Sequence, residues 1–193
     1  VDDPPPLPAP ERDAIVAATR RWLERAVIGL NLCPFARAVH VKAQIRYVVS
    51  AADTDEALLE TLREELALLA RTDPQAIETT LLIHPRVLAD FTDFRFFLER
   101  AERAVRKLGL EGTVQVASFH PDYTFGDAAP DDPAHHTNRS PYPMLHLLRE
   151  ASIDRAVEAF PDAADIYERN IATLRRLGHE GWRRLMADDP PPA

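Results

Sequence analysis

Thr79-Thr80-Leu81-Leu82-Ile83 runs into His84-Pro85, and Val114-Gln115-Val116-Ala117-Ser118-Phe119 runs into His120-Pro121. Both stretches are made of strand-forming residues, and both stop at His-Pro. Proline removes a backbone donor and pushes the residue before it toward extended geometry, so it closes a strand. Read as parallel neighbours, the two strands deliver His84 and His120 to one edge of a sheet. That is the edge at which open α/β folds bind their ligands.

The segments around these strands read mainly as helices. From about Glu11 to Leu30, Ile15, Trp22, Leu23, Ala26 and Leu30 fall on one helical face, and Pro34 ends any continuation. Gln44 to Val49 reads as a first strand. Asp53 or Thr54 can cap a helix through Ala70, whose Leu58, Leu62, Leu66 and Leu69 form a core stripe. Asp90 or Thr92 can cap another, carrying Phe91, Phe94, Leu98, Ala101 and Val105 and stopped by Gly109. Strands alternating with helices predict parallel pairing through right-handed crossovers.

Residues 121–139 lack periodicity and read as a lid or a disordered insert. Ser140 to Glu150 reads as a helix, with Ser140 as its cap and Pro141 in the first position. Further helical runs carry Ile153, Ala156, Val157 and Phe160, then Ile166, Tyr167, Ile171 and Leu174 up to about Gly178, and last Trp182 and Leu185.

The predicted fold is a single α/β domain over residues 11–187, with a small, mainly parallel sheet of about three strands. The two crossover helices are expected on one face, and the N-terminal helix and the helical C-terminal part on the other. A ferredoxin-like α+β arrangement is the alternative, with an extra strand or hairpin from Val39 to Val49. The proline-rich ends, 1–10 and 188–193, read as disordered tails.

Composition narrows the function. The net charge of −8 argues against binding nucleic acid or an anionic membrane surface. The single cysteine, Cys33, forms no internal disulfide, and no signal-like or membrane-spanning stretch is seen, so a cytoplasmic location is expected. Six glycines and no glycine-rich phosphate motif argue against a nucleotide cofactor.

His84, His120 and His146 are candidate metal ligands. Three nitrogens with an open position suit catalytic zinc, and two histidines with Asp122 suit iron. Without a metal, His120 and Asp122 form a candidate acid–base pair. The competing structural reading is that His-Pro is a strand terminator with a satisfied imidazole. Asn138, Arg139 and the free amides of a helix opening at Ser140 form a candidate anion site, with Tyr142 and Arg149 one turn from His146. Cys33 is a candidate nucleophile if it caps a short helix beginning at Pro34, a position that lowers a thiol's pKa. A small buried hydrophobe is the plainer reading. His135 and His136, adjacent in a polar loop, are expected to be exposed.

Three segments carry a resemblance: Gly29-Leu30-Asn31-Leu32-Cys33-Pro34-Phe35-Ala36, then Ser118 to Phe125, then Thr137 to Glu150. On these the chain resembles the DUF1415 family, a domain of unknown function. The resemblance implies a single soluble domain and brings no activity, cofactor or catalytic residue. The function expected from the residues is an enzyme acting on a small anionic metabolite, with a hydrolase or oxidoreductase using zinc or iron at the histidine cluster as the candidate form. The alternatives are a non-catalytic small-molecule sensor or binding module, and a protein-interaction domain recruiting partners through its tails. Oligomeric state is left open.

Overall fold

The computed structural model describes residues 5–159 and 165–187. Helix α1 (Ala9–Trp22) passes into a π-helical segment (Leu23–Ile28) and then a short helix α2 (Ala36–Val41). There follow β1 (Ile45–Val49), α3 (Asp55–Arg71), β2 (Thr79–Ile83), α4 (Phe91–Lys107) and β3 (Val114–Phe119). A 3-10 turn (Pro133–Thr137) precedes β4 (Met144–Arg149), α5 (Glu150–Ala159) and α6 (Asp165–Met186). The expected caps form. Thr54 Oγ1 accepts from the Ala57 N–H at 3.2 Å, and the Asp90 carboxylate accepts from Thr92 and Asp93 at 2.8 and 3.1 Å. Gly178, at φ 66°, breaks α6 where the helix was expected to end.

The sheet has the order β1-β2-β4-β3. β1 and β2 are parallel, whereas β4 runs antiparallel to both β2 and β3. The α/β class and the flanking helices follow the sequence reading, but the sheet is mixed and has a fourth strand. That strand is the segment read as a helix from Ser140 to Glu150. The segment itself, apolar from Met144 to Leu148 but for His146, explains the difference. A strand buried on both faces shows a continuous apolar run that periodicity cannot separate from a buried helix, and Met-Leu-His-Leu-Leu has no β-branched residue. The extra strand is therefore not the 39–49 segment of the ferredoxin-like alternative, where 36–41 is helical.

Alternation along the strands sorts two cores. Leu82, Leu145, Leu147 and Val114 point toward α3 and α4, packing on Leu58, Leu62, Leu66, Phe94 and Phe97. Leu81, Ile83 and Met144 point to the opposite face, onto Ile15, Trp22, Leu23, Ala26 and Val27, with Trp182 and Leu185 of α6 against the same cluster. The N-terminal proline run is part of this folded unit from Leu7 onward. Leu7 is buried, and Pro10 sits in the first turn of α1, where a missing N–H costs nothing. Residues 1–4 and 188–193 of the two expected tails lie outside the described residues, as do Phe160 and the side chain of Ala156.

Candidate functional site

His84 and His120 emerge at the same level of the sheet, with β4 between their strands. The His84 N–H donates to Pro143 O at 3.0 Å, and the His120 N–H donates to Asn138 O at 3.1 Å. Both rings face α4 and contact Phe94, with centroids at 5.6 and 5.1 Å.

Hydrogen bonding fixes the tautomers, because a carbonyl only accepts. His84 Nδ1 lies 3.0 Å from Val87 O and so carries the proton, while its buried Nε2 has no partner among the described residues. His120 Nδ1 accepts from the Asp122 N–H at 3.0 Å, so Nε2 donates to Leu88 O at 3.2 Å. The two imidazoles thus hold consecutive carbonyls of the β2–α4 loop, where Leu88 adopts φ 60°. Such a left-handed backbone is unfavourable for leucine and persists only where its surroundings hold it. Burial lowers both pKa values, that of His84 to about 4, with the nearby His120 contributing.

Both nitrogens of His120 are committed, and Asp122 reaches it through its backbone N–H. The expected His120–Asp122 side-chain acid–base pair is therefore not assembled. Nor do the three candidate ligands meet. His146 lies in the middle of β4 on the other face of the sheet, with Phe119 at 6.1 Å between centroids. Among the described residues no group of three His, Cys, Asp or Glu is placed to hold a metal ion.

The anion site expected at Ser140 changes with the secondary structure, since no helix starts there. Ser140 Oγ donates to Tyr142 O at 2.7 Å, and Asn138 Nδ2 donates to Ser118 O at 3.1 Å, so both fasten the approach to β4. Tyr142 packs against the cluster around Trp22. Arg149 turns toward α3, where Nη2 donates to Leu69 O and Thr72 O at 2.8 and 2.7 Å, and Ile77 O lies 3.0 Å from Nη2 and 3.4 Å from Nε. Its role in the structure is to hold a helix end. Arg139 is different: Nε donates to Tyr123 O at 3.1 Å, and the rest of the guanidinium remains unbonded among the described residues.

His146 forms the most open of the candidate centres. Its Nε2 lies 2.7 Å from Thr79 Oγ1, whose own proton goes to Leu147 O at 2.6 Å. Nε2 must therefore donate, which leaves Nδ1 as a lone pair, and no hydrogen bond to it is formed among the described residues. Burial lowers the ring's pKa to about 4, so it is neutral at pH 7. The ring lines a cavity of about 370 Å³ between the sheet and the N-terminal helices, walled by Trp22, Leu23, Val27, Phe35, Val39, Leu81, Ala117, Phe119 and Leu148. This is the size and largely apolar character of a small-molecule site.

Cys33 lines the same cavity, but it does not cap a helix: α2 starts at Ala36, with Phe35 before it. Burial raises the thiol pKa, opposed by the N–H groups of Phe35 and Ala36. Cys33 is therefore expected to react with iodoacetamide more slowly than glutathione at pH 7.5, accelerating only at alkaline pH. A rate above that of glutathione, followed by mass spectrometry, would mark an activated nucleophile instead.

Sequence reasoning missed a further cluster. His135 and His136, expected to be exposed, are buried. His135 Nδ1 accepts from the Phe125 N–H at 3.1 Å and Nε2 donates to Ala129 O at 2.8 Å, which orders the long connection. His136 stacks on Trp182 at 4.3 Å and contacts His179. These partners lie more than forty positions downstream on α6, so no local pattern could signal them.

Residues 14–184 match the family described as a protein of unknown function, DUF1415, and the chain belongs to that family. No curated protein and no solved structure matches. Among the described residues no helix is long and apolar enough to cross a membrane.

Proposed function

We propose that this DUF1415 chain binds a small, mainly apolar organic molecule carrying one hydrogen-bond donor, in the cavity under β4. One observation carries the reading: the tautomer of His146 is set by Thr79, which leaves Nδ1 as an acceptor unpaired among the described residues, in a largely apolar cavity. A neutral imidazole with a pKa of about 4 is a weak base but a steady acceptor through the physiological range. Recognition therefore accounts for the site better than proton abstraction does. The three segments that carry the family resemblance contribute Cys33, Phe119 and His146 to this cavity.

A catalytic version of the reading is favoured by the thiol of Cys33 on the same wall, with two N–H groups that favour its ionised form. In that version the ligand is a substrate, and its binding must lower the thiol pKa.

N-phenyl-1-naphthylamine, apolar with a single N–H, is a suitable fluorescent probe. We expect saturable binding at one site per chain. Replacing His146→Leu should weaken it roughly tenfold, the loss of about one hydrogen bond. Ala117→Phe, which puts a ring into the cavity, should abolish it. Absence of saturable binding, or binding indifferent to Ala117→Phe, overturns the proposal.

A further inference from the structure

A second cavity, of about 420 Å³, opens on the other side of Trp22, between α1, α6 and the approach to β4. Arg21, Trp22, His136, Arg139, Ser140 and Trp182 line it. Its hydrogen bonding can be traced from one end. Asp131 O accepts from His179 Nε2 at 2.7 Å, so His179 Nδ1 is an acceptor. That atom lies 3.0 Å from His136 Nε2, which must then donate. His136 Nδ1 is left as a lone pair, buried and without a partner among the described residues.

Beside this acceptor stands Arg139, close enough that its charge helps depress the pKa of His136, after burial as the main cause. The Arg139 guanidinium is half-buried and spends only Nε on protein. Asp122 is near enough to favour its charge but forms no ion pair with it. A cation withdrawn from water without a hydrogen-bonded counter-charge is unfavourable, and so is a buried acceptor without a donor. One ligand type relieves both. Its anionic oxygens take the paired N–H groups of the guanidinium, and its hydroxyl donates to the imidazole.

We propose that this cavity binds an oxyanion that carries its own O–H group, either a hydrogen phosphate group or a 2-hydroxycarboxylate. Arg139 holds the charge, and His136 reads the hydroxyl. Trp182, stacked flat on His136, fixes the plane of the ring. The site is separate from the apolar cavity and does not depend on it. The selectivity is chemical: a plain carboxylate satisfies Arg139 but leaves His136 Nδ1 unpaired.

Tryptophan fluorescence is a direct readout, because Trp22 and Trp182 both line the cavity. At pH 7.5 and constant ionic strength, inorganic phosphate, glycolate and acetate are titrated into the full chain, with calorimetry as a second measure. We expect saturable binding of phosphate or glycolate, and acetate at least about tenfold weaker than glycolate. Arg139→Gln should abolish binding. Arg139→Lys, which keeps the charge without the fork, should recover part of it. His136→Phe, which keeps the stack on Trp182, should bring glycolate down to the level of acetate. Equal affinity for glycolate and acetate in the wild-type chain overturns the proposal without reference to any variant. So does the absence of saturable binding by phosphate and glycolate, or binding undiminished in a folded Arg139→Gln chain.

Discussion

Between pH 7.5 and pH 4.5 the folded chain is expected to lose several kcal/mol of stability, with His84 as one of the main contributors. Its folded pKa, about 4, lies below the ordinary value of 6.5 because the ring is buried, with the nearby His120 adding to the shift, and Nε2 has no partner among the described residues. The unfolded chain therefore binds the proton first as pH falls. Stability is fully present above pH 6.5 and drains away toward pH 4. For His84 alone the loss by pH 4.5 is on the order of 2–3 kcal/mol. His136 and His146, both lowered to about 4 by burial, act in the same direction. Asp132, held to about 2 by the Arg175 guanidinium, loses its contribution only below about pH 4, so the histidines dominate this window.

His84→Asn keeps a donor toward Val87 O and removes the titration. In urea unfolding, the difference in stability between pH 7.5 and 4.5 should shrink by about 2 kcal/mol relative to wild type. An unchanged difference would mean that Nε2 is hydrated or paired in solution.

The residues behind this behaviour show what the sequence makes legible. His84-Pro85 and His120-Pro121 do end strands, because proline chemistry is local and acts wherever it occurs. The helices α3 and α4 were readable from their caps and leucine and phenylalanine stripes, which are also local signals. The strand β4 was not. Met144 to Arg149 takes its hydrogen bonds from β2 and β3 on either side, partners 61–69 and 25–35 positions away, and only those partners define it as a strand.

That one error propagates into the candidate site. A helix at Ser140 would have put His146 on a turn beside its amides, whereas the strand sends His146 and Leu145 to opposite faces of the sheet. The imidazole joins Trp22 and Cys33 instead of His84 and His120. Arg139, singled out because it precedes Ser140, lies in a basic pocket for an unrelated reason: α6 brings His179 and Trp182 to its neighbour His136. Individual residues with ionisable side chains were readable from the sequence, but which of them share a cavity depends on strand parity and on α6.

Arg149→Leu should be among the most damaging substitutions of a polar residue in the chain, at about 3 kcal/mol by urea unfolding at pH 7.5. The side chain is 9% exposed and leaves β4 on the face covered by α3. Its guanidinium gathers Leu69 O and Thr72 O at the carboxyl end of that helix, and Ile77 O from the segment that leads into β2. Carbonyls at a helix end lack intrahelical partners, and the helix dipole makes this end favourable for a positive charge. One residue of an interior strand thus ties together a crossover helix, its loop and the segment leading into the next strand. Leucine fills comparable space but leaves Thr72 O and Ile77 O without a donor among the described residues, while Leu69 O keeps the Thr72 N–H, and unmet acceptors are the costly half of breaking a hydrogen bond. Lysine keeps the charge but cannot span three carbonyls with a planar fork, so Arg149→Lys should fall between the two, at about 1–2 kcal/mol. The comparison also separates this role from substrate binding. A ligand-binding Arg149 would show a stability change within about 1 kcal/mol in Arg149→Leu, together with lost affinity for the probe in the β4 cavity. A staple shows lost stability, with the residual folded chain still binding the probe.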